Sequence, residues 1–251
     1  MIEMFYDAHC HLNLLNEKEL NKILAETKEK NVSEMISCST SFESNKQNLL
    51  LAKNFSKIKA AIGIYPLDAS ELNEKEMDRA FGFFENHING AIAVGEIGMD
   101  YKYCKSELDK IKQEEIFVRF IELGKKYDKP LIIHSRYAQR QVLKILESEK
   151  AQKVLLHSFV DSKKLMKIAF ENEWFVGVGV SVLYNEEIQE NVRDFPLEKM
   201  LFETDSPVRF NGEKATPLDI VRIANKVAEL KKIDIENVEN VQETNYVELF
   251  G

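Results

Sequence analysis

Four of the five histidines in this chain stand where they could do metal chemistry. His9 and His11 lie in Asp7-Ala8-His9-Cys10-His11, while His134 ends the run Pro130-Leu131-Ile132-Ile133 and His157 ends Val154-Leu155-Leu156. Two carboxylates occupy comparable places: Glu96 interrupts Val94-Gly95-Glu96-Ile97-Gly98, and Asp205 follows Phe202-Glu203-Thr204. Imidazoles favour zinc and other transition ions, whereas carboxylates also tolerate magnesium and manganese, so Zn, Mg or Mn all fit this set. Side chains alternate along an extended segment, so His9 and His11 are expected on one face, with Ala8 and Cys10 pointing away. A glutamate inside an apolar run is seldom buried unless paired or metal-bound. Its two oxygens can bridge two ions about 3.5–4 Å apart. Asp205 has the position and chemistry to bind metal and to accept a proton from a bridging water.

Each residue also has an ordinary reading. A lone histidine is often satisfied by a carbonyl in a core, an aspartate before Ser206-Pro207 often closes a turn, and Cys10 reads as a small packing residue. His87, inside the amphipathic segment Phe81–Ile88, is expected to end a helix outside the site.

The elements that must position these groups are short apolar runs alternating with longer amphipathic ones. Strands are expected at Phe5–Ala8, Glu34–Ser39, Ile58–Ile64, Ala91–Ile97, Pro130–His134, Lys153–His157, Trp174–Gly179 and Met200–Glu203, each bounded by turn-forming residues. Between them, apolar residues recur at three- and four-residue steps, as in Leu20-Ile23-Leu24 and Ile116-Phe117-Phe120-Ile121. Ser41-Phe42-Glu43-Ser44, Ser70-Glu71 and Asp161-Ser162 read as helix starts. Eight such repeats in 251 residues match an α/β fold of the (β/α)8 TIM-barrel type, which typically needs about 250 residues. A doubly wound open sheet is the competing architecture. In a barrel the C-terminal strand ends converge on one mouth, so ligand-type side chains from five separate segments would meet there. No linker or repeat divides the chain, and one domain over residues 1–251 is expected, with the tail from Asp234 to Phe250 as a further helix packed on the outside.

Hydrophobic residues make up 44% and charged residues 30%, ordinary values for a chain with a sizeable core. The net charge of −8 argues against a broad basic surface for gripping duplex DNA. Cys10, Cys38 and Cys104 form no disulfide framework and no CxxC zinc motif. No stretch reaches the roughly 18 apolar residues of a membrane helix, and the N-terminal sequence does not read as a secretory signal, so a cytoplasmic location and no membrane partner are expected.

Five segments, DAHCH, GEIGMDY, HSR, HSF and ETDSP, resemble in order the signature boxes of the TatD family of metal-dependent deoxyribonucleases, within the amidohydrolase superfamily. They run from Asp7 to Pro207 and so cover most of the chain. The resemblance implies two divalent ions: His9, His11, Glu96 and Asp205 would hold one, and His134, His157 and the bridging Glu96 the other. It also implies DNA cleavage, commonly of the 3′-exonuclease type, with nucleic acid as the substrate partner (single-stranded DNA ends) and no obligate protein partner. The chain departs from the family pattern twice. Tyr65 stands in Gly63-Ile64-Tyr65-Pro66-Leu67 where many members read GxHPH, and Tyr137 stands in His134-Ser135-Arg136-Tyr137-Ala138 where many read HxRDA.

The function expected on these grounds is hydrolysis by a two-metal-activated water, with Glu96 bridging and Asp205 as general base. Arg136 would make a bidentate phosphate contact, Tyr65 would donate to a substrate oxygen, and Tyr65 or Phe159 would stack on a base or sugar. Two other readings stay open. The same site could hydrolyse a small amide or ester, which the acidic charge favours, although Glu96 replaces the fourth-strand lysine of the carbamylated amidohydrolase pattern. A barrel that binds metal or a partner without catalysis would be marked by a lost ligand, and none of the six is missing.

Overall fold

The computed structural model describes residues 5–160 and 162–251. Eight strands form one parallel sheet whose spatial order is the chain order. They are β1 (Phe5–Cys10), β2 (Val32–Cys38), β3 (Ile58–Ile62), β4 (Ala93–Asp100), β5 (Leu131–Arg136), β6 (Val154–Leu156), β7 (Phe175–Val178) and β8 (Met200–Phe202). Helices follow each strand: α1 (Glu17–Glu26), α2 (Phe42–Asn54), α3 (Pro66–Glu71) with α4 (Glu74–His87), α5 (Glu107–Lys126), α6 (Gln139–Ser148), α7 (Lys163–Glu171), α8 (Glu186–Asp194) and α9 (Ile220–Lys231). The architecture is a (β/α)8 TIM barrel.

The sheet closes where β8 meets β1. Asp205 N–H donates to the His9 carbonyl at 2.9 Å and His11 N–H donates to the Ser206 carbonyl at 2.6 Å. The buried Asp7 carboxyl fastens the same seam, accepting the Thr204 N–H at 3.0 Å and the Thr204 hydroxyl at 2.5 Å. These bonds join residues nearly 200 positions apart and hold His9 of β1 and His11 just after it beside Asp205, which follows β8.

Packing falls in two layers. Ala8, Ile36, Cys38, Ala61, Ala93, Ile132, Leu155, Phe175 and Leu201 form one cluster, drawn from every strand and filling the barrel. The larger cluster lies between sheet and helices, where Phe84, Phe117, Phe120 and Trp174 are almost fully buried. The closing helix α10 (Ile235–Phe250) does not simply lie outside. Tyr246, Leu249 and Phe250 join the interior cluster, and Tyr246 stacks on Tyr6 at 4.1 Å, so this helix stoppers the N-terminal end of the barrel.

Several local expectations need correction. Tyr6 and Ala8 pack with the barrel interior, and a register irregularity between Asp7 and Cys10 changes the phase so that His9 and His11 also turn toward the mouth. Strict alternation therefore misplaced Ala8. Cys10 does point away, donating its thiol to the Ile36 carbonyl. Ser41 caps α2 as expected, but Ser70-Glu71 ends α3, and Asn73 with Glu76 builds the capping box that starts α4. Ser162 precedes α7, while Asp161 lies outside the described residues. A small antiparallel pair, β9 (Arg209–Phe210) with β10 (Glu213–Lys214), follows β8 and carries no strong sequence signal. Among the described residues no helix is long and apolar enough to cross a membrane.

Candidate metal centre

Each site residue arrives at the mouth within a strand or just after one, by a local device that can be traced. Glu96 sits within β4, whose register with β5 slips between Val94 and Ile97. Beyond the slip Gly98 faces His134, and a Cβ at Gly98 would lie 2.1 Å from the His134 carbonyl oxygen. Gly98 also holds φ at +130°, where a side chain is rarely tolerated, so glycine is what lets β4 and β5 carry Glu96 and His134 side by side. Asp205 sits just past β8 with φ +53°, in the left-handed region, held there by the bond to His9. His157 directly follows β6.

The six groups meet. His9 Nε2 and His11 Nε2 are 3.2 Å apart. Asp205 Oδ1 lies 3.5 Å from the first and 3.2 Å from the second. Glu96 Oε2 lies 3.8 Å and 3.5 Å from the same two nitrogens, and its Oε1 lies 2.7 Å from His134 Nδ1. His157 stacks on His9 with centroids 3.7 Å apart, and its Nε2 is 3.9 Å from Asp205 Oδ2. Two groups have all their ligand atoms within 4.8 Å of one another: His9, His11 and Asp205, and His9, Glu96 and His157. His9 is common to both, and His134 joins through Glu96, its ring lying 6.2 Å from that of His157. Side-chain exposure is 23% for Asp205 against 0–13% for the other five, so Asp205 is the group nearest to solvent.

The tautomer of His11 follows from its neighbours. Its Nδ1 lies 2.9 Å from the Cys38 carbonyl, which can only accept, so the proton sits there and Nε2 faces the carboxylates. Electrostatics reflect the crowding. Burial works against charge on every member, yet the histidines His11 and His9 beside Asp205 hold its carboxyl well below the usual range. Burial would likewise raise Glu96, but His134, His9 and His11 outweigh it and lower it. Burial would lower His11 and His134, and the facing carboxylates raise both above an ordinary imidazole. His157 is raised to about 10 by Glu203, Asp205 and Glu96 against its burial. His9 is lowered by burial and by His157. A cluster of carboxylates that draws this much positive charge onto imidazoles suits a cation. His134 Nδ1 supports the fit from another side: Glu96 Oε1 is close but off the hydrogen-bonding direction, leaving a buried nitrogen without a hydrogen-bond partner.

The remaining expected residues separate. Arg136 is the last residue of β5, not part of the helix beyond, and its Nε and Nη2 both donate to Asp100 Oδ2 at 2.9 Å and 2.5 Å. Nη2 also donates to the Tyr65 hydroxyl at 3.0 Å, and Tyr65 in turn donates to Asp100. Phe159, offered for stacking, is buried in the core. Tyr137 is exposed beside the mouth at φ +57°. His87 ends α4, its ring stacked on Phe83 with Nδ1 2.8 Å from the Phe83 carbonyl, and it belongs to neither ligand group.

Two fully buried acids at the mouth escaped the sequence reading. Asp100 ends β4 and gathers Arg136, Tyr65 and His134, whose Nε2 is 3.4 Å away. Glu203, directly after β8, faces His157. Both are acids where an apolar strand ends, a signal akin to the one that revealed Glu96, an acid inside an apolar strand.

Barrel and site together define a metal-dependent hydrolase, and comparison with known proteins bears this out. A family model described as TatD related DNase matches residues 6–251, and the chain belongs to that family. It is 31% identical to an uncharacterized metal-dependent hydrolase of Buchnera aphidicola, covering 98% of each chain. It is 27% identical to the deoxyribonuclease TATDN3 of Homo sapiens, covering 97% of this chain and 93% of that one. In fold it superposes on the TatD homologue YJJV of Escherichia coli with a TM-score of 0.90 at 24% identity, covering 100% of this chain and 99% of the other.

Proposed function

We propose that this protein cleaves phosphodiester bonds in DNA, acting on single-stranded ends as an exonuclease, with two divalent cations at the barrel mouth. The observation that carries the reading is Glu96: one carboxylate oxygen faces His134 while the other faces His9 and His11, the arrangement a bridging ligand needs. His9, His11, Glu96 and Asp205 would hold one cation, and Glu96, His134 and His157 the other. Bound there, zinc, magnesium or manganese supplies Lewis acidity toward water and toward a phosphoryl oxygen.

The chain's own groups do the rest. Asp205, held ionised by His11 and His9 and the least buried of the six, accepts the proton of the attacking water and passes it outward. Arg136 has five N–H groups, three of them committed to Asp100 and Tyr65, which leaves the Nη1 edge for a phosphate oxygen. Tyr65, anchored by Asp100, sets where that edge points. The human relative at 27% identity is named a deoxyribonuclease, which supports the substrate class.

The test is cleavage of single-stranded oligodeoxynucleotides by chelator-treated protein resupplied with Zn, Mg or Mn, beside duplex DNA, RNA and a panel of esters and amides. Asp205→Asn should keep much of the metal and lose turnover by about 10²-fold or more, the usual contribution of a positioned base. Glu96→Ala should lose both cations. Preference for an ester or amide, or no turnover with any cation, sinks the assignment.

A further inference from the structure

Glu203 is buried at the centre of the mouth, yet none of the six ligand roles uses it. Its Oε1 accepts the N–H of Ser158 at 2.7 Å and lies 2.9 Å from His157 Nδ1. That contact is a close ion pair lying off the Nδ1–H direction. Ser158 itself holds φ at +49°, so the turn that swings His157 into the mouth is fastened to the same oxygen. The other oxygen lies against β7. A Cβ at Gly177 would sit 2.3 Å from Oε2, so the strand is bare where the carboxyl must fit.

The direction of these contacts matters. Glu203 approaches His157 from the Nδ1 side, while Nε2 turns toward Asp205 and belongs to the group of His9 and Glu96. A carboxylate set beside Nδ1 favours the proton on that nitrogen and so leaves the Nε2 lone pair for a cation, and it supports the basicity of Nε2 more than a carbonyl does. His11 is oriented by a carbonyl; His157 has an acid in that place. We infer that Glu203 is a positioning residue, fixing the ring and tautomer of His157 so that Nε2 is the nitrogen offered to the metal, and that Gly177 exists to admit its carboxyl group. The inference rests on His157 being a ligand, as proposed above.

Zinc affinity of the full chain, measured by competition with a chromophoric chelator, provides the test through a mutant cycle. Glu203→Gln keeps the shape and should weaken zinc by about 10- to 100-fold, the usual cost of losing such a partner. Gly177→Ala, which displaces the carboxyl without altering it, should weaken zinc in the same way. In a His157→Ala background neither change should cost anything further. Losses that add fully to that of His157→Ala would show Glu203 acting by another route and overturn the inference, leaving the ligand assignment intact. An unchanged affinity in His157→Ala alone would overturn both. A check on the unmodified protein needs no variant: long-range ¹H–¹⁵N spectra of the zinc-loaded chain should show His157 protonated at Nδ1 and metal-bound at Nε2. The reverse assignment overturns the inference.

Discussion

Asp100 makes the least expected residue-level arrangement at the mouth. Its Oδ2 takes two N–H groups of Arg136 and the hydroxyl of Tyr65, and His134 Nε2 is 3.4 Å away. Burial would raise its carboxyl, but His134, Arg136 and Tyr65 hold it well below the usual range. Arg136 is thus not a free surface cation; its guanidinium is clamped on one edge and lies 4.9 Å over the Tyr103 ring on a face. Lysine can reproduce the charge but neither the fork nor the stacking. Arg136→Lys should therefore raise KM for DNA about 10-fold or more, the worth of a charge-assisted hydrogen bond, with kcat within about twofold. Steady-state kinetics over a range of oligonucleotide concentrations decides it, and an unchanged KM removes Arg136 from substrate binding. His87→Ala is the matching control, since that ring stacks on Phe83 of its own helix and is none of the six ligand candidates, and its kinetics should equal wild type.

At the scale of elements, the seam between β1 and β8 is where geometry depends on single side chains. Asp7 is fully buried, and burial pushes its carboxyl up to about 8, against the donors of Thr204 and His9. Asp7→Ala would strand those donors at about 1–3 kcal/mol each. A total near 3 kcal/mol would lower Tm by about 6–12 °C in a chain of this size. Asp7→Asn, which keeps an acceptor for both backbone N–H groups, should lose less than half as much in a thermal melt; equal losses would mean the charge itself is required. This seam was hidden in the sequence, whereas the eight strands were not. Every strand candidate overlaps an observed strand, because a parallel barrel buries both faces and writes continuous apolar runs such as Leu131-Ile132-Ile133. The ligand candidates were legible for the same reason, as polar residues that end such runs. The irregularities in β1 and β4, the partners Glu203 and Asp100, and the inward turn of α10 were not. Each depends on contacts across the barrel, such as Glu203 against Gly177, that no local periodicity encodes.

Over the whole molecule, the site concentrates uncompensated electrostatics at one end of a scaffold that is otherwise tightly packed. His9, His11, His157, Glu96, Asp100, Asp7 and Glu203 are all buried around the mouth. Burying charge is costly unless it is paired; Asp100 has Arg136, but Glu96 and Glu203 face imidazoles, which carry opposing charge only when protonated. A divalent cation pairs with the carboxylates without that condition, so the folded chain should bind it far better than the unfolded chain can. The consequence is a linkage: stability should rise with cation concentration as RT ln(1 + [L]/Kd), reaching about 2.7 kcal/mol at 100 times Kd. For a chain of this length that corresponds to about 5–11 °C in Tm. Differential scanning calorimetry of chelator-treated protein, titrated separately with Zn, Mn and Mg, measures the effect and ranks the ions in one experiment. Glu96→Ala should abolish the rise, because it removes the carboxylate shared by both proposed cation sites. A metal-free protein as stable as the loaded one, for every ion, would mean that these seven buried groups satisfy one another, and the mouth would then be a polar core instead of a cation site.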